Sequence, residues 1–170
     1  MTTSTAAANG AATQQFLSFT LDGEAFAIDI RTVREIIQHG AVTPVPLTPD
    51  FVRGVINLRG AVVPVIDLHA RFGRPRAIIS KKTCIVVVDA VRDGERMELG
   101  LMVDAVSEVI SLDPSQIEPP PQFGGATRRD FIAGMGKRGE RFVVLLDPER
   151  ALDIAEMAAL CEARQMALAA

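Results

Sequence analysis

Tryptophan and tyrosine are both absent from this chain of 170 residues, so phenylalanine is its only aromatic side chain. That weakens any case for an aromatic-rich carbohydrate site or a stacking platform for single-stranded nucleic acid. Cysteine is scarce as well. Cys84 sits in a Val-rich run and Cys161 near the end, which offers neither zinc-ligand spacing nor a redox pair. Both read as small buried apolar residues of a reducing compartment. The two histidines, His39 and His69, have no candidate nucleophile beside them, so a Ser-His or Cys-His arrangement has no support. Both are expected at the surface. Lys and Arg number 18 against 21 Asp and Glu, a net charge of −3, with no basic block able to follow a phosphate backbone. Nucleic acid is thereby disfavoured as a partner. Apolar runs such as Cys84–Val88 and Val143–Leu146 fall far short of a bilayer span. The opening MTTSTAAANGAATQ has neither the basic start nor the apolar core of a secretory signal, so the expected location is the cytoplasm, without direct membrane insertion.

What is present is an ordinary globular composition, 48% hydrophobic and 23% charged, on a length suited to one domain or two small units sharing a core. Residues 1–14 have little to bury and are expected to form a disordered arm. Leu17, Phe19 and Leu21 alternate with polar neighbours, Asp22-Gly23 signals a hairpin, and Phe26, Ile28 and Ile30 alternate again on the return. Arg31–Ile37 fits a helical turn or a strand, because its spacing is helical but Val33, Ile36 and Ile37 are β-branched. Thr48-Pro49-Asp50-Phe51 predicts one helical turn feeding two apolar strands, Val52–Asn57 and Ala61–Leu68, folded back through Leu58-Arg59-Gly60. Gly60 supplies the positive φ of that turn, which holds Arg59 in the open. A short helical turn should follow Asp67, then a polar crossover, Arg74–Lys82, and a hairpin of Thr83–Val88 with Met97–Val103 about Asp93-Gly94. Ala105–Leu112 leads into an extended Pro119-Pro120-Pro121 connector and a Gly-rich loop, Gly124–Arg129. Phe131–Gly136 and Arg141–Leu146 complete the strands. Asp147-Pro148-Glu149 starts a C-terminal helix, 148–165, with Ile154, Met157, Ala158 and Cys161 at helical spacing and 166–170 as a tail.

The chain also repeats. Shifted by 80, Phe51, Gly54, Val65, Ile66 and Asp67 fall on Phe131, Gly134, Leu145, Leu146 and Asp147. Shifted by 73, Ile28, Ile30, Val33, Glu35 and Ile36 fall on Leu101, Val103, Val106, Glu108 and Val109. Two similar β units follow, each too small for a comfortable core and therefore packed on the other, the first centred on 28–82 and the second on 101–147. The repeat makes Asp67 and Asp147 equivalent N-caps at strand ends, in preference to paired catalytic carboxylates. Gly134–Gly139 spells GxGxxG, but between two strands it reads as a hairpin turn and not a dinucleotide cradle. There is no P-loop. Catalysis is disfavoured, and binding is favoured.

Gly54–Leu68, GVINLRGAVVPVIDL, resembles the signature of the CheW family, adaptors between chemoreceptors and the histidine kinase CheA. Further matches are Phe26–Ile37 (FAIDIRTVREII), Leu99–Ile110 (LGLMVDAVSEVI), Ile117–Pro121 and Phe131–Asp147 (FIAGMGKRGERFVVLLD). Together they run from about Gln15 to Leu160 in the family's order. The resemblance implies a mainly β fold of two intertwined five-stranded SH3-like barrels, with short helical turns, no enzymatic activity and no cofactor. The partners it implies are the regulatory domain of a CheA-type kinase and the helical hairpin tip of a receptor, with neighbouring CheW-like domains in rings as a further partner. Carried over by motif, the partner-binding positions are Val33, Glu35 and Ile36, then Arg53 and Gly54, then Asn57, Leu58 and Arg59, with Cys84 and Gly100 lining the receptor-facing groove. Cys84 stands where an aliphatic residue is common, and His69 where Arg is common. If Glu35 and Arg59 both face outward beside exposed aliphatics, they form a polar rim around an apolar patch. Two alternatives stay open: a CheW-like module of a non-flagellar pathway, and a phosphatase acting on response regulators.

Overall fold

The computed structural model describes residues 13–40, 42–46, 48, 51–75, 77–92, 94–119 and 132–148. Nearly all of the expected N-terminal arm, the body of the C-terminal helix, the tail, the Gly124–Arg129 loop, and Pro49 and Asp50 of the expected helical turn lie outside them. Strands β1 (Gln14–Leu21) and β2 (Glu24–Asp29) form a hairpin on Asp22-Gly23, whose φ values of 53° and 79° are those of a type I′ turn. Arg31–Ile37 turns out to be both things its spacing allowed. A 3-10 turn over Ile30–Thr32, capped by the Asp29 carboxylate accepting from the Arg31 N–H at 2.9 Å, leads into β3 (Val33–Gln38). Next come β4 (Val52–Leu58), β5 (Ala61–Asp67) and a single helical turn, α1 (Leu68–Arg71), capped by Asp67. The chain continues through β6 (Cys84–Arg92), β7 (Glu95–Val103), β8 (Ala105–Leu112), β9 (Ile117–Glu118), β10 (Ile132–Arg138) and β11 (Arg141–Leu146). Among the described residues, no helix is long and apolar enough to cross a membrane.

The strands form a five-stranded sheet, β3-β6-β7-β5-β4, and a six-stranded sheet, β8-β1-β2-β11-β10-β9. Each takes one hairpin from the other repeat, β6–β7 in the five-stranded sheet and β1–β2 in the six-stranded one. The first draws on Val33–Val103, well past residue 82, and the second on β1 and β2 as well as Ala105–Leu146. The repeat holds to the register. Val52 pairs with Ile66, Gly54 with Val65 and Leu58 with Ala61; Ile132 pairs with Leu146, Gly134 with Leu145 and Arg138 with Arg141. Even the sixth strand has its counterpart. Thr43 bridges Val55 at the edge of β4 as Glu118 of β9 pairs with Met135 of β10, 80 residues on. The recurring glycine follows from this edge, because a Cβ on Gly54 would lie 2.2 Å from the Thr43 carbonyl oxygen and one on Gly134 2.9 Å from that of Glu118. Gly134 is thus not part of a hairpin turn. Gly134–Arg138 are extended within β10, and the turn is Gly139-Glu140, with Gly139 at φ 62°.

Among the described residues, three apolar clusters form the interior. Ile56, Val63, Val65, Ile85, Val87 and Met102 form the interior of the five-stranded unit, and Phe16, Ala27, Ile110, Leu112, Val143 and Leu145 that of the six-stranded one. The third and largest is shared: Leu17, Phe19, Leu21, Phe26 and Ile28 of one sheet pack against Ile66, Val86, Val88, Leu99 and Leu101 of the other. This explains the unbroken apolar run in β6. Ile85 and Val87 face the inner cluster, Val86 and Val88 the seam, so neither face of the strand meets water. Ser18 is buried too, not solvent-facing as alternation implied. Its hydroxyl donates to the Glu108 carbonyl at 2.8 Å and accepts from the Glu108 N–H at 3.1 Å, filling the irregularity where β1 meets β8.

Candidate docking site

The outer strands of the five-stranded sheet, β3 and β4, are joined by the ion pair of Glu35 and Arg59. β3 pairs with β6 with one extra residue, Arg34, between Val33 opposite Val88 and Glu35 opposite Val87. This bulge puts Val33 and Ile36 on the seam face and Glu35 on the inner face. Arg34 pins the bulge by reaching Asp89 at 3.3 Å and Glu98 at 3.7 Å on the two neighbouring strands. Across the sheet, Asn57 Oδ1 accepts from the Gly60 N–H at 2.9 Å and tightens the β4–β5 turn. Arg59 and Gly60 both have positive φ, 53° and 87°, again a type I′ turn. Arg59 is therefore held at the tip, and its guanidinium donates to the Glu35 carboxylate from the other edge. Arg59 remains 69% exposed and Glu35 only 26%.

The ten residues expected to bind partners divide accordingly. Glu35 and Arg59 are joined, Ile36 is exposed, and Asn57 is an exposed turn-closing side chain. The expected outward rim is altered in one respect. Glu35 and Arg59 face each other before they face solvent, and Ile36 lies on the opposite face of β3 from Glu35. Leu58 is half-buried against the inner cluster, and Val33 against the seam. Arg53 lies within 3.7 Å of the fully buried Asp67, which also accepts from the Ala77 N–H at 2.8 Å and the His69 N–H at 3.0 Å. Gly54 and Gly100 are buried, and a Cβ at Gly100 would come within 2.7 Å of Ile85. Cys84, expected to be buried, is half-exposed with its Sγ donating to the Lys82 carbonyl at 3.3 Å. Cys161 lies outside the described residues.

The second unit repeats the latch. Arg138 reaches Glu108 at 3.3 Å, and Glu108 is the repeat equivalent of Glu35. The arginine stands one residue earlier than Arg59 because Gly139, not Arg138, takes the positive φ. Alignment had already matched the glutamates, but the different turn hid the arginines. His69, expected at the surface, is 4% exposed. Elsewhere the charges are local. Hydrogen bonding from Arg31 holds the Asp29 carboxyl below its ordinary value, and the Glu24 carboxylate raises Arg74.

Two interlocked β halves, each with an ion pair between an edge strand and a hairpin, have the architecture of a β scaffold. The CheW-like domain family matches residues 15–156. The chemotaxis protein CheW of Klebsiella aerogenes is 41% identical over 145 residues, covering 85% of this chain and 85% of its own. That of Bacillus subtilis is 33% identical over 140 residues, covering 82% and 87%. The crystal structure of the scaffolding protein CheW from Thermoanaerobacter tengcongensis superposes with a TM-score of 0.70 at 36% identity, covering 79% of this chain and 88% of that one. The chain belongs to the CheW family, the non-enzymatic scaffold proteins of chemotaxis signalling.

Proposed function

We propose that this protein is a cytoplasmic adaptor that couples the cytoplasmic tips of chemoreceptors to the regulatory domain of a CheA-type histidine kinase. It reaches membrane-associated arrays through those partners, and neighbouring CheW-like domains are a third class of contact. The observation that carries the reading is the Arg59 tip. A guanidinium has five N–H donors, Glu35 engages one of its nitrogens, and the exposed remainder is oriented by a two-residue turn and suits a partner carboxylate. Ile36 adds an exposed aliphatic surface on the neighbouring edge. In this reading Glu35, Ile36, Asn57 and Arg59 touch partners. Val33, Arg53, Gly54, Leu58, Cys84 and Gly100 hold the shape of that surface. Each contact is weak singly and becomes effective among many copies in an array.

The test is titration calorimetry of the full chain against an isolated kinase regulatory domain and, separately, a receptor cytoplasmic hairpin. Saturable binding to both is expected. A well-folded chain that binds neither overturns the proposal. Incubation with a phosphorylated receiver domain alone should leave its lifetime unchanged, whereas a phosphatase would shorten it.

A further inference from the structure

We propose that Arg34 is a positioning residue for the docking edge, an inference that rests on the contact role proposed above for Arg59. Its guanidinium acts through Glu35 and not on the partner. β3 meets β6 with two residues, Arg34 and Glu35, set against the single Val87, between the pairs Val33–Val88 and Ile36–Val86. Side chains alternate faces along a strand, so removing the extra residue would carry Glu35 from the inner face to the seam face. The Glu35–Arg59 ion pair therefore belongs to the bulged register alone.

The other half has the same bulge and holds it differently. Val106 pairs with Phe19 and Val109 with Leu17, so Ser107 and Glu108 stand against the single Ser18. The buried Ser18 hydroxyl fills that gap, donating to the Glu108 carbonyl at 2.8 Å and accepting from its N–H at 3.1 Å. In the first half Val87 takes the place of Ser18 and has no hydroxyl to offer. What the first half has instead is Arg34, where the second has Ser107. Its guanidinium lies 3.3 Å from Asp89 and 3.7 Å from Glu98, two carboxylates directly opposite each other on β6 and β7. Like charges so placed repel, and Arg34 bridges both. Arg96 comes only within 4.0 Å of Asp89, and Asp89 Oδ1 is buried without a hydrogen-bond partner among the described residues. Asp89 thus has its closest counter-charge in Arg34, and the bulged residue is tied to the two strands behind it. Without that guanidinium the bulge is free to slip, and the two carboxylates face each other uncompensated.

NMR of the guanidinium groups in the free full-length chain reads the latch without any partner, and calorimetry against the kinase regulatory domain and the receptor hairpin reads docking. Arg34→Met keeps the aliphatic stem and removes the charge. It should move the Arg59 side-chain resonances in the same direction as Glu35→Ala, whereas Arg34→Lys, which keeps the charge, should stay closer to wild type. Arg34→Gln gives the same comparison should Arg34→Met not fold. Affinity should fall about fivefold or more in Arg34→Met. In a Glu35→Ala background the same substitution should change affinity by less than about twofold, because the route through Glu35 is already broken. Arg59 resonances that ignore the loss of the Arg34 charge, or affinity losses that simply add, overturn the proposal. The spectra decide it even if the wild type binds neither partner, a result that would strike the docking role of Arg59 alone.

Discussion

Arg59 carries two requirements in the proposed function, because it turns the chain with a left-handed backbone and is there to present a guanidinium. A side chain with a Cβ at φ 53° costs about 1 kcal/mol relative to glycine, and only Asn and Asp tolerate the region comfortably. Arg59→Asn therefore keeps the turn while removing the charge. The melting temperature should change by no more than a few degrees. Affinity for the kinase regulatory domain or the receptor hairpin should fall by about tenfold or more, about 1.4 kcal/mol. Unchanged affinity to both would return Arg59 to the status of a corner. Charge reversal is a poorer probe, since Arg59→Glu would set two carboxylates against each other across the Glu35 latch. Asp29 makes a separate pH prediction. Its folded-state pKa is lowered, chiefly by hydrogen bonding from Arg31, so its contribution is present at neutral pH and is lost as pH falls through the folded value. The stability gap between wild type and Asp29→Asn should close in acid, and stay small throughout because Arg31 is largely exposed. At this scale the sequence was partly legible. Gly60 announced the turn and its exposed arginine, but Glu35, 24 residues away across two sheet edges, could not be read as its partner.

At the scale of elements, Gly54 and Asp67 support the proposed docking surface from behind. Gly54→Ala would drive a Cβ into the Thr43 carbonyl at a backbone φ of 146°, and should destabilise by about 3 kcal/mol. Gly134→Ala, with more room, should cost less. Urea midpoints of the two variants measure the difference, and equal losses would mean that the edge carbonyls move aside freely. A Gly54 variant that loses partner binding should thus do so through its fold. Asp67 is the second such case. Asp67→Ala leaves the mostly buried Arg53 without its counter-charge and two strongly bonded amides without an acceptor, so a loss of about 3 kcal/mol is expected by thermal and urea unfolding. The N-cap at Asp67 was legible from its place before a helical turn. Its use by Arg53 and Ala77 was not, since sequence proximity says nothing of a carboxylate shared among β4, α1 and the crossover. The internal repeat was the strongest signal in the chain because it preserved register. It did not show the arginines as equivalents, because Arg138 stands one residue before the position that matches Arg59.

At the scale of the whole molecule, the exchange of hairpins between sheets means that neither half can complete its core alone. The shared seam is the largest cluster, and Phe19, fully buried there, stacks on Phe26, whose ring centroid is 6.2 Å away. The two units were legible as a duplication in the residues themselves, whereas their interlocking came only with the family resemblance. Local apolar patterns are the same whether β6 and β7 close the first sheet or the second. That topology has a measurable consequence. Phe19→Ala should cost about 3–5 kcal/mol, a large part of a typical domain's stability. The loss should be global although Phe19 belongs to the six-stranded sheet. Hydrogen exchange by mass spectrometry, suited to a chain without Trp or Tyr, should show β6 and β7 losing protection in step with β10 and β11. Loosening confined to β1, β2 and β8–β11 would mean that the halves fold independently. The seam would then be a contact between finished units. The Arg59–Glu35 latch sits on the half that Phe19 does not belong to, so cooperative loss would also show that the proposed docking edge owes its rigidity to the six-stranded sheet.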